Sequence, residues 1–226
     1  FRDPAAHEAL AKTVIAPIFD QVADEEDIRV WVAGCATGEE AYTLAMLFLE
    51  EAARRGVKPR LQIFATDLDE GALATAREAR YPTSIEADVS EERLHKFFIR
   101  EGAHYRLHKE VRELVLFATH SVLKDPPFMR LNLISCRNLM IYLEREVQRV
   151  LCTTLHYALK PAGYLFLGSA ETADHVSDLF QTVDREARIY SAKPHAARIL
   201  PTLVHGLGPP TVLPPATPPP SQTEHE

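Results

Sequence analysis

The stretch Ala33-Gly34-Cys35-Ala36-Thr37-Gly38-Glu39-Glu40 joins a short apolar, β-branched run to an amphipathic one. A doubly wound α/β sheet binds ligands at such junctions, where strands end and helices begin. Gly34 and Gly38 let the backbone turn tightly and approach a ligand closely. The loop lacks the Lys-Ser/Thr ending of a P-loop and the three glycines of the dinucleotide fingerprint. Glu39 and Glu40 open the following helix, where a pyrophosphate would want the positive end of the dipole free. A cofactor without phosphate, carrying a cationic sulfonium, suits this loop better, and S-adenosylmethionine is that cofactor. Asp67, at the tip of the next apolar run, can accept both hydroxyls of an adenosine ribose. NAD would use the same carboxylate, and a strand-end Asp also caps helices, so Asp67 draws its meaning from the loop beside it.

The elements that must position these residues alternate. Residues 28–33 (IRVWVA) and 61–66 (LQIFAT) read as buried strands, as do 131–136 (LNLISC) and 164–168 (YLFLG). Between them, 39–54 and 70–79 carry helical periodicity, the second closed by Tyr81-Pro82, and 144–159 has an apolar stripe of Val147, Val150, Leu151, Leu155 and Ala158. Such alternation predicts a parallel sheet with helices on both faces. The final pieces, 174–180 and 187–192, read as a helix and an edge strand. A stretch from about 90 to 118 breaks the pattern: a short helix, then Tyr105-Arg106-Leu107 and Val111 to Phe117, read as a small inserted antiparallel β-element.

Composition bounds the function. With 226 residues, 46% of them hydrophobic, the chain can bury a core, and no apolar run reaches the ~18 residues a membrane span needs. The net charge of -7, from 32 acidic and 25 basic residues, argues against nonspecific nucleic-acid binding. Three distant cysteines give no disulfide framework, and ten histidines without ligand spacing predict no metal site. Cys35 and Cys136 read as small apolar packing groups. A cytoplasmic domain is expected, ending in a proline-rich disordered linker over 194–226, which holds nine of the 16 prolines.

With those residues in hand, the chain resembles the CheR family of chemotaxis methyltransferases. The resemblance rests on WVAGCATGEEAYTLAM at 31–46, IFATDLD at 63–69, PPFMRLNLISCRNLMIYL at 126–143 and KPAGYLFLGSAE at 160–171. Phe1-Arg2-Asp3 matches the element that follows the family's N-terminal helical domain, which is expected to be absent here. The match covers roughly residues 1–193 and is similar in wording to CheR modules of large fusions, with a CheB-like esterase before and PAS or kinase modules after. It implies a Rossmann-like class I S-adenosylmethionine methyltransferase sheet with a small inserted antiparallel β-subdomain. It also implies methyl esterification of glutamates on chemoreceptor-like coiled coils, giving S-adenosylhomocysteine as product.

By the same resemblance, Arg2 contacts the cofactor's methionine carboxylate, Ala33 and Gly34 line its site, Glu40 lies near its amino group, and Asp67 holds the ribose. Ser121-Val122 stands where the family has an Asn-Leu pair beside the adenine, a departure that shortens the polar reach. Arg137 and Asn138, which follow the strand at 131–136, are expected to bind the cofactor as well, and Tyr142 falls where the family places a tyrosine near the transferred methyl. The insertion at 104–118 resembles a subdomain that in some members docks a receptor's C-terminal peptide. Glutamate is already ionised at neutral pH, so no strong general base is needed; Tyr142 and Arg137 are expected to shape a low-dielectric pocket. Two alternatives stay open: a non-catalytic cofactor-binding or scaffolding module, and an enzyme acting on a small carboxylate.

Overall fold

A computed structural model describes residues 1–22 and 26–194. The proline-rich linker expected from 194 onward lies, apart from its first residue, outside the described residues. Helix α1 (Pro4–Leu10) runs through a π-helical turn at Ala11–Ile15 into α2 (Ala16–Gln21). Strand β1 (Ile28–Ala33), helix α3 (Glu39–Arg55), strand β2 (Leu61–Asp67) and helix α4 (Glu70–Glu78) follow as two strand–helix units. Short strand β3 (Arg80–Pro82), helix α5 (Glu91–Phe97), strands β4 (Phe98–Glu101) and β5 (His104–Leu107) and helix α6 (Lys109–Arg112) come next. The chain then forms β6 (Val115–Thr119), β7 (Leu131–Cys136), α7 (Arg145–Ala158), β8 (Leu159–Leu167), β9 (Phe180–Asp184) and β10 (Ile189–Ala192).

Seven strands form the main sheet in the order β6-β2-β1-β7-β8-β10-β9. The pairings from β6 to β8 are parallel, and β10 and β9 close the sheet antiparallel. The α/β reading with a mostly parallel sheet therefore holds. Period-two alternation sorts β1 between two cores. Val30 and Val32 face the cluster built with Leu10, Leu44 and Phe48, while Trp31 and Ala33 face the one built with Leu151, Leu155 and Leu165. Strand order reverses at β1, whose neighbours β2 and β7 lie on opposite sides, so a crevice opens between the ends of β1 and β7.

Three sequence expectations are corrected. Val115 to Phe117 belongs to β6, paired parallel with β2 (Ile63 opposite Val115) at the edge of the main sheet, not to the inserted β-element. A short apolar run fits either sheet, and only the tertiary partner decides. The small sheet, ordered β3-β5-β4, takes Arg80–Pro82 instead, the segment read as a helix stop. Pro82 is tolerated because β3 is an edge strand, where a missing N–H leaves no ladder bond broken. Residues 174–180 form only a 3-10 turn at Asp174–Val176 before β9, and β9 rather than 187–192 is the sheet edge. No helix among the described residues is long and apolar enough to cross a membrane.

Candidate active site

The ends of β1 and β7 and the N-terminal segment enclose a cavity of about 450 Å³. Val32 and Ala33 line it from β1 and Gly34 from just beyond, Ser135 from β7 with Arg137 and Asn138 from the loop after it, and Phe1, Arg2 and Asp3 from the segment before α1. The Phe1 ring packs edge-on against Tyr81 and Phe98 of the small sheet, at 5.3 and 6.0 Å between centroids. That anchor delivers Arg2 and Asp3 to the cavity mouth, so the inserted sheet helps build the site from a distance.

The loop after β1 is fixed by main-chain bonds. The N–H groups of Gly34 and Cys35 both donate to the Thr66 carbonyl, at 2.8 and 2.9 Å. Gly34 has φ 72°, and a Cβ there would lie 3.0 Å from Leu139 Cδ1, so only glycine lets this loop and the one after β7 approach so closely. Gly38, at φ 90°, would drive a Cβ to 2.9 Å from Ala76 Cβ on α4. Burial, and after it the neighbouring Asp67 carboxylate, pushes the Cys35 thiol up to about 12, which removes it as a thiolate nucleophile.

Glu40, in the first turn of α3, is held from three directions. Its Oε1 accepts from Ser135 Oγ at 2.7 Å and its Oε2 from Arg137 Nη1 at 3.1 Å. His7 Nε2, buried and without a hydrogen bond, lies 3.5 Å from Oε2. Burial alone would push this carboxyl up; His7, Arg137 and Ser135 together outweigh it and lower it to about 2. Arg137 reaches further: Nη2 donates to Asp3 Oδ2 at 2.6 Å, Nε to the Leu167 carbonyl at 3.3 Å, and the guanidinium sits 4.5 Å above the Phe166 ring. One arginine thus carries two carboxylates, with its side chain only 6% exposed.

The structure brings Arg2, Ala33, Gly34, Glu40, Arg137 and Asn138 together in this cavity. It leaves Asp67, Ser121, Val122 and Tyr142 outside the wall. Asp67 Oδ2 accepts from Ala36 N–H at 2.8 Å, and Oδ1 accepts from the N–H groups of Leu68 and Asp69 at 2.8 and 3.0 Å. A carboxylate has about four acceptor positions, so about one remains free, on Oδ2. Ser121 N–H is taken by Asp125 Oδ2 at 2.7 Å, and Val122 packs onto the Trp31 cluster. Tyr142 was expected to shape the pocket beside Arg137. Instead a 3-10 turn, Met140–Tyr142, buries Met140 and turns Tyr142 outward, 81% exposed.

Sequence reasoning did not single out Asp3, His7, Ser135 or Glu171. Ser135 carried a signal: a hydroxyl inside the apolar run LNLISC must find a partner, and it finds Glu40. His7 had none, being one of ten scattered histidines.

The donor set fits the amino-acid end of S-adenosylmethionine. An ionised Glu40 can meet an ammonium, Arg2 a carboxylate, and the Cβ-free surface of Gly34 gives the backbone close approach. The sequence matches the CheR methyltransferase, SAM binding domain family over residues 1–189. The chain belongs to the CheR methyltransferase family. S-adenosylmethionine is the cofactor of this CheR domain. The chain is 44% identical over 198 residues to an uncharacterized 104.1 kDa protein of Rhodobacter capsulatus, a match covering 87% of this chain and 21% of that protein. It is 33% identical over 199 residues to chemotaxis protein methyltransferase 1 of Pseudomonas aeruginosa, covering 85% of this chain and 72% of that one. With chemotaxis protein methyltransferase Cher2 of Pseudomonas putida it shares 32% identity over 199 residues, covering 85% and 72%. The CheR chain thus spans about a fifth of the first relative's length and under three quarters of the other two.

Proposed function

We propose that this CheR domain methylates glutamate side chains of chemoreceptor-like coiled-coil proteins in the cytoplasm, forming methyl esters as a signalling adaptation. One observation carries the reading: Arg137, at the edge of the cofactor cavity, holds Glu40 with one terminal nitrogen and the carboxylate of Asp3 with the other. An arginine that already grips a partly exposed carboxylate is suited to orient an acceptor carboxylate in its place. The names of the two Pseudomonas relatives support a chemotaxis methyltransferase. The same reading takes residues 1–193 as one module, beside CheB-like and PAS or kinase modules of a larger parent chain, and 194–226 as a spacer; the 104.1 kDa relative, of which the match covers 21%, supports the larger size alone.

When bound, S-adenosylmethionine supplies a sulfonium methyl carbon, to which a carboxylate oxygen bonds as the carbon–sulfur bond breaks, leaving S-adenosylhomocysteine and the ester. The chain's own residues then have modest tasks. Glu40, ionised at every physiological pH, meets the ammonium of the cofactor's amino acid, and Arg2 meets its carboxylate. Asp67 offers its remaining acceptor position to the ribose, and Ser121 and Val122 border the adenine. Arg137 and Asn138 align the acceptor oxygen, and the exposed Tyr142 contacts the acceptor chain. No residue has to remove a proton, since a glutamate with an ordinary pKa of ~4.3 arrives ionised. Opposite charges neutralise along the path, so excluding water favours it.

The test has two steps. S-adenosylhomocysteine titrated calorimetrically into the purified chain is expected to bind in the micromolar range, more weakly with Asp67→Ala. Radiolabelled methyl groups are then expected to reach a receptor-derived helical peptide as a base-labile ester. Binding without transfer to any acceptor would make this a non-catalytic cofactor-binding or scaffolding module. Transfer to small carboxylic acids alone would move the substrate class.

A further inference from the structure

We infer that Glu171 is the positioning residue of the reaction, holding the loop that carries Arg137 and Asn138; this rests on the methyl-transfer reading above. The Glu171 carboxylate is 4% exposed and is not part of the cavity wall. Its Oε1 accepts from the N–H groups of Leu139 and Met140 at 2.9 and 2.6 Å. Its Oε2 accepts from those of Asn138 and Gly168 at 2.8 and 2.7 Å. Four main-chain donors fill about all the acceptor positions a carboxylate has, so Glu171 has nothing left for a ligand.

Three consecutive N–H groups turned toward one anion form a nest, a backbone shape that ordinarily awaits a phosphate or carboxylate. Here the protein fills the nest itself. The bonds tie the loop after β7 to the end of β8, across adjacent parallel strands. Asn138 sits at φ 58°, a left-handed conformation that asparagine takes up more readily than other non-glycine residues, and its N–H is fixed there by Glu171. Gly168 completes the clamp, because a Cβ there would lie 2.7 Å from Glu171 Oε2 and 3.0 Å from the Asn138 nitrogen. Arg137 precedes this clamped turn directly and Tyr142 follows it, so the turn sets where both are placed.

The experiment uses Glu171→Gln, which keeps shape but puts an amide N–H₂ against two main-chain donors, and Gly168→Ala, which crowds the same clamp from β8. Hydrogen exchange followed by mass spectrometry should show protection lost at residues 138–140 while the β1–α3 loop keeps its own. Turnover at saturating cofactor, per molecule able to bind S-adenosylhomocysteine, should fall by about 10- to 100-fold, since a displacement near 1 Å costs that much. Affinity for S-adenosylhomocysteine should fall by less than turnover does, because Arg2, Gly34 and Glu40 lie off the clamped turn while Asn138, on it, lines the same cavity. A merely structural role would lower the melting temperature and leave turnover per competent molecule unchanged; that result, or unchanged exchange in both variants, overturns the proposal. Wild-type protein that binds S-adenosylhomocysteine but methylates no carboxylate defeats the methyl-transfer reading, and Glu171's part in the reaction with it. The exchange arm then still reports separately on the clamp.

Discussion

Glu40 and Glu171 flank the loop after β7, and they represent two ways of keeping a carboxylate away from water. Glu40 is held by side chains from separate elements, His7 on α1, Ser135 on β7 and Arg137 just beyond it, and it faces the cavity. Glu171 is held by four main-chain N–H groups and stands outside the wall of that cavity. Side-chain partners can swing when a ligand arrives, so Glu40 can exchange one of them for an ammonium. A carboxylate saturated by backbone cannot exchange anything without moving the chain. The first arrangement suits binding and the second suits aim.

Glu40→Gln breaks the comparison most sharply. It removes the charge that would meet the cofactor's ammonium and leaves Arg137 short of a partner. A lost charge-assisted bond of about 2–3 kcal/mol corresponds to roughly 30- to 150-fold weaker S-adenosylhomocysteine binding by calorimetry. The substitution also changes acid stability in a direction that can be worked out. Glu40 is lowered in the folded protein, so its contribution to stability is complete above its ordinary 4.5 and is lost as pH falls through about 2. Urea unfolding across that window should therefore find the gap between wild type and Glu40→Gln narrowing toward acid. A constant gap would mean that the carboxylate's charge is not what its neighbours stabilise.

The same contrast explains what could be read beforehand. The glycine loop and the place of Glu40 in the first turn of the following helix were legible because residues close in sequence carry that geometry; Asp67 does stand at the strand tip where it was read, but outside the cavity wall. Glu171 stands 31 to 33 residues from the loop amides it binds, and backbone donors leave no trace in residue types. Asp3 and Arg137, 134 apart, posed the same difficulty, although each stood inside a recognised motif. In the fold, the strongly apolar strands around the switch point matched expectation. The weaker runs failed where two sheets competed, with Val115 to Phe117 going to the main sheet and Arg80–Pro82 to the small one. Propensity and alternation are nearly equal in those segments, and long-range pairing decides. Tyr142 was placed by likeness alone, and its exposure goes with a 3-10 turn that no residue pattern announced.

Asp3→Asn sharpens the comparison with a smaller effect. Asp3 occupies Arg137 Nη2 at 2.6 Å from a half-exposed position, where an acceptor carboxylate would have to displace it. Neutralising it should lower KM for a glutamate-bearing peptide by about three- to tenfold, the equivalent of one exposed-side ion pair of about 1 kcal/mol. Affinity for S-adenosylhomocysteine should change little, since Glu40 still holds Nη1. A raised KM would instead make Asp3 a support for the Arg137 guanidinium rather than its competitor.

Tyr142→Phe should have the smallest effect and the most local one. The residue is 81% exposed and its hydroxyl has no side-chain partner among the described residues, so stability should stay within about 0.5 kcal/mol of wild type. Any kinetic change must then arise only once an acceptor is seated. A fall of about threefold in turnover at saturating cofactor, with unchanged S-adenosylhomocysteine affinity, would place the hydroxyl against the acceptor and not in the cofactor wall. Equal rates for Phe and Tyr would leave the hydroxyl without a role, and acceptor alignment would then fall to Arg137 and Asn138, the pair that the Glu171 clamp holds in place.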